Sequence, residues 1–259
     1  MNNINGHKCI VFNADFPNTL GIVRSLGEKG IKPILIIFGE PALAAKSRYP
    51  SIVHCTKDID AAYQLLLDSY SNEAQKPFLF TCCDSTTYYI NERYNILADK
   101  FIFYNCGENG RLCSLAPKLV QNRFAKESGL LVADCEVVKV GELPKKLEYP
   151  VITKATSSLG ADWKKNVFIC QNEDELMEAY THIREKEVLV QEFIEKKTEM
   201  PIQGISINHG EDVYMPLQMM YNRTYKDSFG FTFRYEKFSH PEMLKPMKEF
   251  FKKMGFRCV

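Results

Sequence analysis

The residues of this chain whose types and spacing could do chemistry gather in its second half. Lys154 ends the run Tyr149-Pro150-Val151-Ile152-Thr153. An ammonium there is costly to bury unless it meets an anion. Thr156-Ser157-Ser158-Leu159-Gly160-Ala161 follows almost at once. Small hydroxyl residues and glycine let backbone N–H groups fold over phosphate oxygens. Val188-Leu189-Val190-Gln191-Glu192-Phe193-Ile194 reads as a strand running out into a linker. The donors and acceptors at its end can pair with an adenine edge. Glu199 lies seven residues beyond Glu192, where a carboxylate could accept from both hydroxyls of a ribose.

Each of these residues, taken singly, has a plainer reading. A strand-end lysine is often solvated, its stem alone covered. Gln191-Glu192 at a strand end can face water. Lys118, near a predicted helix start, is poorly placed for the helix dipole, yet could still be surface decoration. Asp84 reads first as a helix cap and second as a substrate contact. Arg223 reads first as an exposed sheet residue. Order and spacing together carry the functional reading.

The elements that must position these groups follow two different rhythms. In the first half, short apolar runs alternate with helical stretches. Strands are predicted at Cys9 to Phe12, Ile34 to Phe38, Ile52 to Cys55, Phe78 to Cys82 and Phe101 to Tyr104. A helix capped by Asn18 and Thr19 follows the first strand and stops at Gly30, and Asp58 to Tyr70 is amphipathic. This β-α-β rhythm implies parallel strands with right-handed crossovers, a Rossmann-like domain over residues 1 to about 115. The turn after the first strand, Asn13-Ala14-Asp15-Phe16-Pro17-Asn18, holds no GxGxxG, which argues against a dinucleotide site and a Rossmann-type oxidoreductase.

The second half, from about 116 to 259, pairs its strands locally. A helix runs from Ala116-Pro117-Lys118 to Ser128-Gly129. Val151 to Ala155 and Val167 to Cys170 flank the small-residue loop. Asn172 with Glu175 forms a capping box, and Glu187 to Phe193 is a further strand. Ile202 to Asn208 and Val213 to Met220 form an antiparallel pair turning at His209-Gly210-Glu211-Asp212. The last helix runs from His240 or Pro241 to Met254, with Gly255 as its stop.

This ordered set resembles the ATP-grasp superfamily, over nearly the whole chain. Ala14-Asp15-Phe16-Pro17-Asn18-Thr19-Leu20 with Val23-Arg24-Ser25-Leu26-Gly27 is similar to the start of its carboxylate–amine ligase branch, which includes D-aspartate-ligase-like proteins. Phe80-Thr81-Cys82-Cys83-Asp84 resembles that branch's strand-then-Asp element. Lys118 with Phe124-Ala125 and Gly129-Leu130 resembles its lysine helix, Pro150 to Lys154 its phosphate-contacting strand, and Gln191 to Ile194 its adenine linker.

The resemblance implies an α/β chain: a Rossmann-like pre-ATP-grasp domain, then an incomplete ATP-grasp (α+β) domain with subdomains of about 116–196 and about 197–259. It implies that Lys118 and Lys154 contact ATP phosphates and that Ser157, Ser158 and Gly160 close over them. Glu192 and the backbone of Phe193 and Ile194 hold adenine, Glu199 holds ribose, and Arg223 is the catalytic basic residue near the acyl-phosphate. The first domain would help to bind the acceptor acid near the ends of its strands. Substrates would be a small-molecule carboxylate and an amine, and a homodimer is among the options for assembly.

The family's Mg2+ ligands lie after a Gly-aromatic turn, here Gly255-Phe256, and the chain stops at Val259. They are therefore expected beyond its C-terminus, and the chain reads as a fragment, a truncated product or part of a split protein. Magnesium neutralises charge during phosphoryl transfer, so little or no turnover is expected of the chain alone. The alternative is an inactive nucleotide-binding or interaction module.

Bulk properties fit this reading. The 259 residues carry a formal net charge of +1, which calls for neither nucleic acid nor an anionic membrane. Nine cysteines, an odd number without regular spacing, argue against a disulfide framework and for a reducing cytosol. Adjacent Cys82 and Cys83 read as small buried residues rather than a redox pair. No N-terminal signal pattern occurs and no apolar run could span a bilayer, so a cytoplasmic location is expected.

Overall fold

The structure, a computed structural model, describes residues 4–156, 166–196, 198–223 and 231–257. The chain divides into two compact units, Met1–Cys113 with Phe256–Val259, and Ser114–Gly255.

The first unit is built on a five-stranded parallel sheet. Its elements are β1 (Cys9–Ala14), α1 (Pro17–Glu28), β2 (Ile34–Phe38), β3 (Ile52–Thr56), α2 (Ile59–Tyr70), β4 (Phe78–Phe80), α3 (Asp84–Asn91), α4 (Tyr94–Leu97) and β5 (Ile102–Phe103). The sheet order is β3-β2-β1-β4-β5. Parallel strands joined by helices are covered on both faces, so they read as continuous apolar runs. Successive residues of β1 and β2 accordingly feed two cores. Ile10, Phe12, Ile34 and Ile36 pack with Ala62, Leu66 and Ile90. Val11, Leu35 and Ile37 pack with Val23 and Ala44.

The order reverses between β1 and β4, where open α/β sheets place ligands. A polar knot fills that point. Asn13, fully buried, donates through Nδ2 to Thr19 Oγ1 at 3.0 Å, and Cys83 Sγ donates to Asn13 Oδ1 at 3.2 Å. Cys82 and Cys83 are thus half-buried free thiols within this knot. Asp15 accepts from the N–H groups of Ala42 (2.7 Å), Ala44 (2.6 Å) and Ala45. Burial alone would raise its carboxyl pKa, but these donors outweigh it and hold the group below its ordinary value.

Two expected helix starts differ in detail. α1 begins at Pro17 behind Phe16, with no side-chain cap. Thr19, instead of capping, is fully buried and donates to Ala14 O at 2.6 Å, because proline takes the first-turn position and the hydroxyl turns inward. Cys83, not Asp84, stands at the N-cap of α3, and Asp84 lies in its first turn, where its charge favours the dipole.

The second unit follows α5 (Arg111–Ser114) and holds α6 (Lys118–Glu127), β6 (Cys135–Lys139), β7 (Val151–Lys154), β8 (Ile169–Cys170), α7 (Glu173–Tyr180), β9 (Glu187–Glu192), β10 (Ile202–Ile207), β11 (Asp212–Arg223), β12 (Phe231–Lys237) and α8 (Leu244–Met254). They form an antiparallel sheet β6-β9-β7-β8 and a second one, β10-β11-β12. One face of the four-stranded sheet packs Val138, Val151, Val188 and Val190 against Leu176, Ala179 and Tyr180 of α7. Asn172 accepts from Glu175 N–H at 3.0 Å, and Glu175 reaches back to the N–H of Gln171 at 2.8 Å, one residue earlier than the usual capping box.

The three-stranded sheet carries exposed Ile205, Tyr214, Leu217, Phe233 and Tyr235. α8 ends on Gly255 in the left-handed conformation (φ 73°). Its backbone passes so near Gly210 that a Cβ there would lie 2.5 Å from Phe251 C and Lys252 N, a close approach only glycine permits. Strands β6 and β12 fall where the sequence predicted none.

Candidate functional site

β6, β7 and β9 expose to the core every second residue, and the intervening residues share the opposite face. The register Ile152↔Gln191, Lys154↔Leu189, Cys135↔Gln191 and Val137↔Leu189 groups them there. This face is a small platform in which Lys154 shares a row with buried Leu189 and Val137, and Gln191 sits in the next row between Ile152 and Cys135.

Lys154 is half-buried, and its Nζ donates to Gln191 Oε1 at 2.6 Å. Lys118, at the first position of α6, is half-buried too. Its Nζ donates to Ala155 O at 3.0 Å and its backbone N–H to Thr156 O, which stitches the start of the helix to the end of β7. Burial lowers the pKa of both lysines; for Lys118 the nearby charge of Lys154 lowers it further, while Cys135 acts the opposite way on Lys154.

Two ammonium groups partly withdrawn from water and close to each other cost stability. One of them also stands at the positive end of a helix, where a cation is disfavoured. An anion placed against them would relieve all three penalties.

The residues expected to form an adenine linker behave unequally. Glu192, at the end of β9, alternates to the face opposite Gln191, is exposed, and donates its N–H to Asp134 O at 2.9 Å. The Phe193 N–H is also taken, by Pro150 O at 3.0 Å. Neither the Phe193 carbonyl nor the Ile194 N–H enters a bond among the described residues. Phe193 is half-buried and Ile194 exposed. Glu199 forms an ion pair with Lys196, so its charge is already partly met. Ser157, Ser158 and Gly160 lie outside the described residues. So does the side chain of Arg223, whose backbone ends β11 opposite Phe231.

Three neighbours escaped the sequence reading as site residues. Gln191 was seen only as part of the linker. Cys135 was missed with its strand, although Cys135-Glu136-Val137-Val138-Lys139 carries a core-facing Val138. Asn122, whose Nδ2 donates to Cys135 Sγ at 3.2 Å, lies four residues after Lys118 and hence on the same helix face.

No protein-family model matches the chain, and no curated protein matches it. Solved structures do. An L-amino acid ligase from Bacillus licheniformis is similar with a TM-score of 0.71 at 13% identity, covering 96% of this chain and 62% of that one. Phosphoribosylglycinamide synthetase from Anaerococcus prevotii gives 0.62 at 17%, covering 97% and 62%. N5-carboxyaminoimidazole synthetase from Staphylococcus aureus, complexed with ADP, gives 0.62 at 14%, covering 87% and 57%. The chain thus spans about three-fifths of the length of these relatives. Among the described residues, no helix is long and apolar enough to cross a membrane. A parallel five-stranded unit followed by two antiparallel sheets, the first bearing the lysine strand and the linker strand side by side, gives this chain the fold of the ATP-grasp ligases.

Proposed function

We propose that this chain carries the nucleotide pocket of an ATP-dependent ligase that joins a carboxylate to an amine through an acyl-phosphate. The observation that carries the reading is the pairing of Lys118 and Lys154, two half-buried cations beside the platform of Ile152, Val137 and Leu189. A flat apolar surface next to concentrated positive charge suits a base joined to phosphates. The ADP-bound state of one similar structure supports the same ligand class.

In this reading ATP supplies the phosphoryl group that activates the acid. Lys154 and Lys118 hold the phosphates and offset their charge, which is the main task of a protein in phosphoryl transfer. The Phe193 carbonyl and the Ile194 N–H offer one acceptor and one donor to the adenine edge. Ser157, Ser158 and Gly160 cover the phosphates, Glu199 exchanges its Lys196 partner for the ribose, and Arg223 serves the acyl-phosphate. In this reading the first unit helps to bind the acceptor acid near its strand ends, beside the polar knot of Asn13, Thr19 and Cys83.

Among the described residues no group of three or more His, Cys, Asp or Glu could hold a metal.

The test is calorimetric titration of ATP and ADP, with and without Mg2+, into the wild type and Lys154→Ala. The expected result is saturable binding weakened at least tenfold by the substitution. Indistinguishable binding by the two proteins overturns the reading. Phosphate release against a panel of amino acids then separates a ligase from a module that binds nucleotide without turnover.

A further inference from the structure

We propose that Gln191 is a positioning residue for Lys154, and that its neutrality is what leaves the lysine's charge available to an anionic ligand. This rests on the nucleotide reading of the site. The Gln191 carboxamide oxygen accepts from Lys154 Nζ at 2.6 Å across the β7–β9 pair. Both side chains are half-buried on the same face, and Gln191 is the first residue of the linker. Lys154 takes part in no ion pair among the described residues and shows this amide as its partner.

A buried ammonium needs an acceptor, and two kinds could serve. A carboxylate would satisfy the hydrogen bond and cancel the charge as well. An amide satisfies the hydrogen bond and leaves the full positive charge in place. The chain does have a carboxylate at the neighbouring position, Glu192, but strand alternation turns it to the opposite face. A shift of one residue would exchange the two, so the register of β9 against β7 decides whether this lysine is neutralised. Cys135 lies directly across from Gln191 on the other flank, where its Sγ accepts from Asn122 Nδ2.

The experiment uses the full chain and Gln191→Glu, with Gln191→Met as a variant of similar length that tests the loss of the acceptor alone. Binding of ADP and of adenosine is measured by calorimetry between pH 5 and 8.5. The Lys154 amine is followed by 15N NMR of its Nζ, assigned through Lys154→Ala. The introduced carboxylate is expected to raise the Lys154 pKa and to weaken ADP binding by roughly tenfold near pH 7.5, as one unit of pKa coupling implies. Adenosine binding should change less than twofold. The ADP defect of Gln191→Glu should differ in size between the wild-type and Lys154→Ala backgrounds. Gln191→Met should weaken ADP by a smaller factor that does not vary with acid.

A Lys154 resonance that titrates identically in wild type and Gln191→Glu overturns the proposal. An ADP affinity unchanged while the lysine pKa rises overturns it as well. Should the wild type bind no ADP at all, the nucleotide reading fails. The NMR comparison then still decides whether Gln191 governs the charge of Lys154.

Discussion

The parallel sheet of the first unit and the four-stranded antiparallel sheet of the second treat their two faces in opposite ways. In the first, β1 and β2 are buried on both sides, and Ile10, Val11, Phe12, Leu35, Ile36 and Ile37 are almost wholly inaccessible. A charged side chain has no place in such a strand. In the second, α7 covers one face of β6, β7 and β9, and the other holds Lys154 and Gln191 only half-buried. A sheet covered twice is a scaffold. A sheet covered once keeps a surface on which polar groups can be fixed with strand precision while the other face supplies the stability.

Substitutions in the two sheets can break this contrast. Phe12→Ala, at the centre of the doubly covered sheet, should cost about 3–5 kcal/mol in denaturant unfolding. Leu176→Ala, beneath the core face of the second sheet, should cost about 2–3 kcal/mol, the lower part of the range for such truncations. Lys154→Met, on the opposite face of that sheet, should leave the unfolding midpoint unchanged or raise it, because a desolvated charge is removed. The same change should weaken ADP by about 1.5–3 kcal/mol. If Lys154→Met destabilises the fold as much as Leu176→Ala, the two faces do not differ in the way described.

Titration sharpens the comparison. Burial lowers the Lys118 and Lys154 pKa values in the free protein, whereas a bound anion favours their charged forms. Binding therefore takes up protons, and ADP affinity should fall as pH rises through the lowered lysine values, below the ordinary value of about 10.4. Calorimetry in buffers of different ionisation enthalpy measures the uptake. The smallest effect expected is that of Asn172→Ala, which removes the α7 cap and should cost about 1 kcal/mol.

Much of the scaffold was legible because its signals are local. The strand Ile34–Phe38 matches its expected bounds, and Asn172 and Gly255 punctuate their helices as expected. Failures arose where local signals conflict with tertiary demands. Thr19 has the chemistry of a cap, but the switch point needed its hydroxyl inside. β6 and β12 were overlooked because charged residues interrupt both. In β6 these are affordable, as Lys139 is exposed and Glu136 accepts from the N–H groups of Lys145 and Lys146.

The site was legible to a similar, partial degree. Lys118, Lys154 and the linker could be singled out by their order along the chain. Their partners could not, since Gln191 and Cys135 matter through strand pairings that join distant segments. By itself the sequence determined the helix stops, the apolar runs and the places where cations and small residues interrupt them, because these depend on backbone preference and side-chain period over a few residues. Tertiary structure alone decided which face each strand residue occupies and whether Lys154 meets an amide or a carboxylate. That choice depends on a register set by packing across the whole sheet, and a shift of one residue would reverse it.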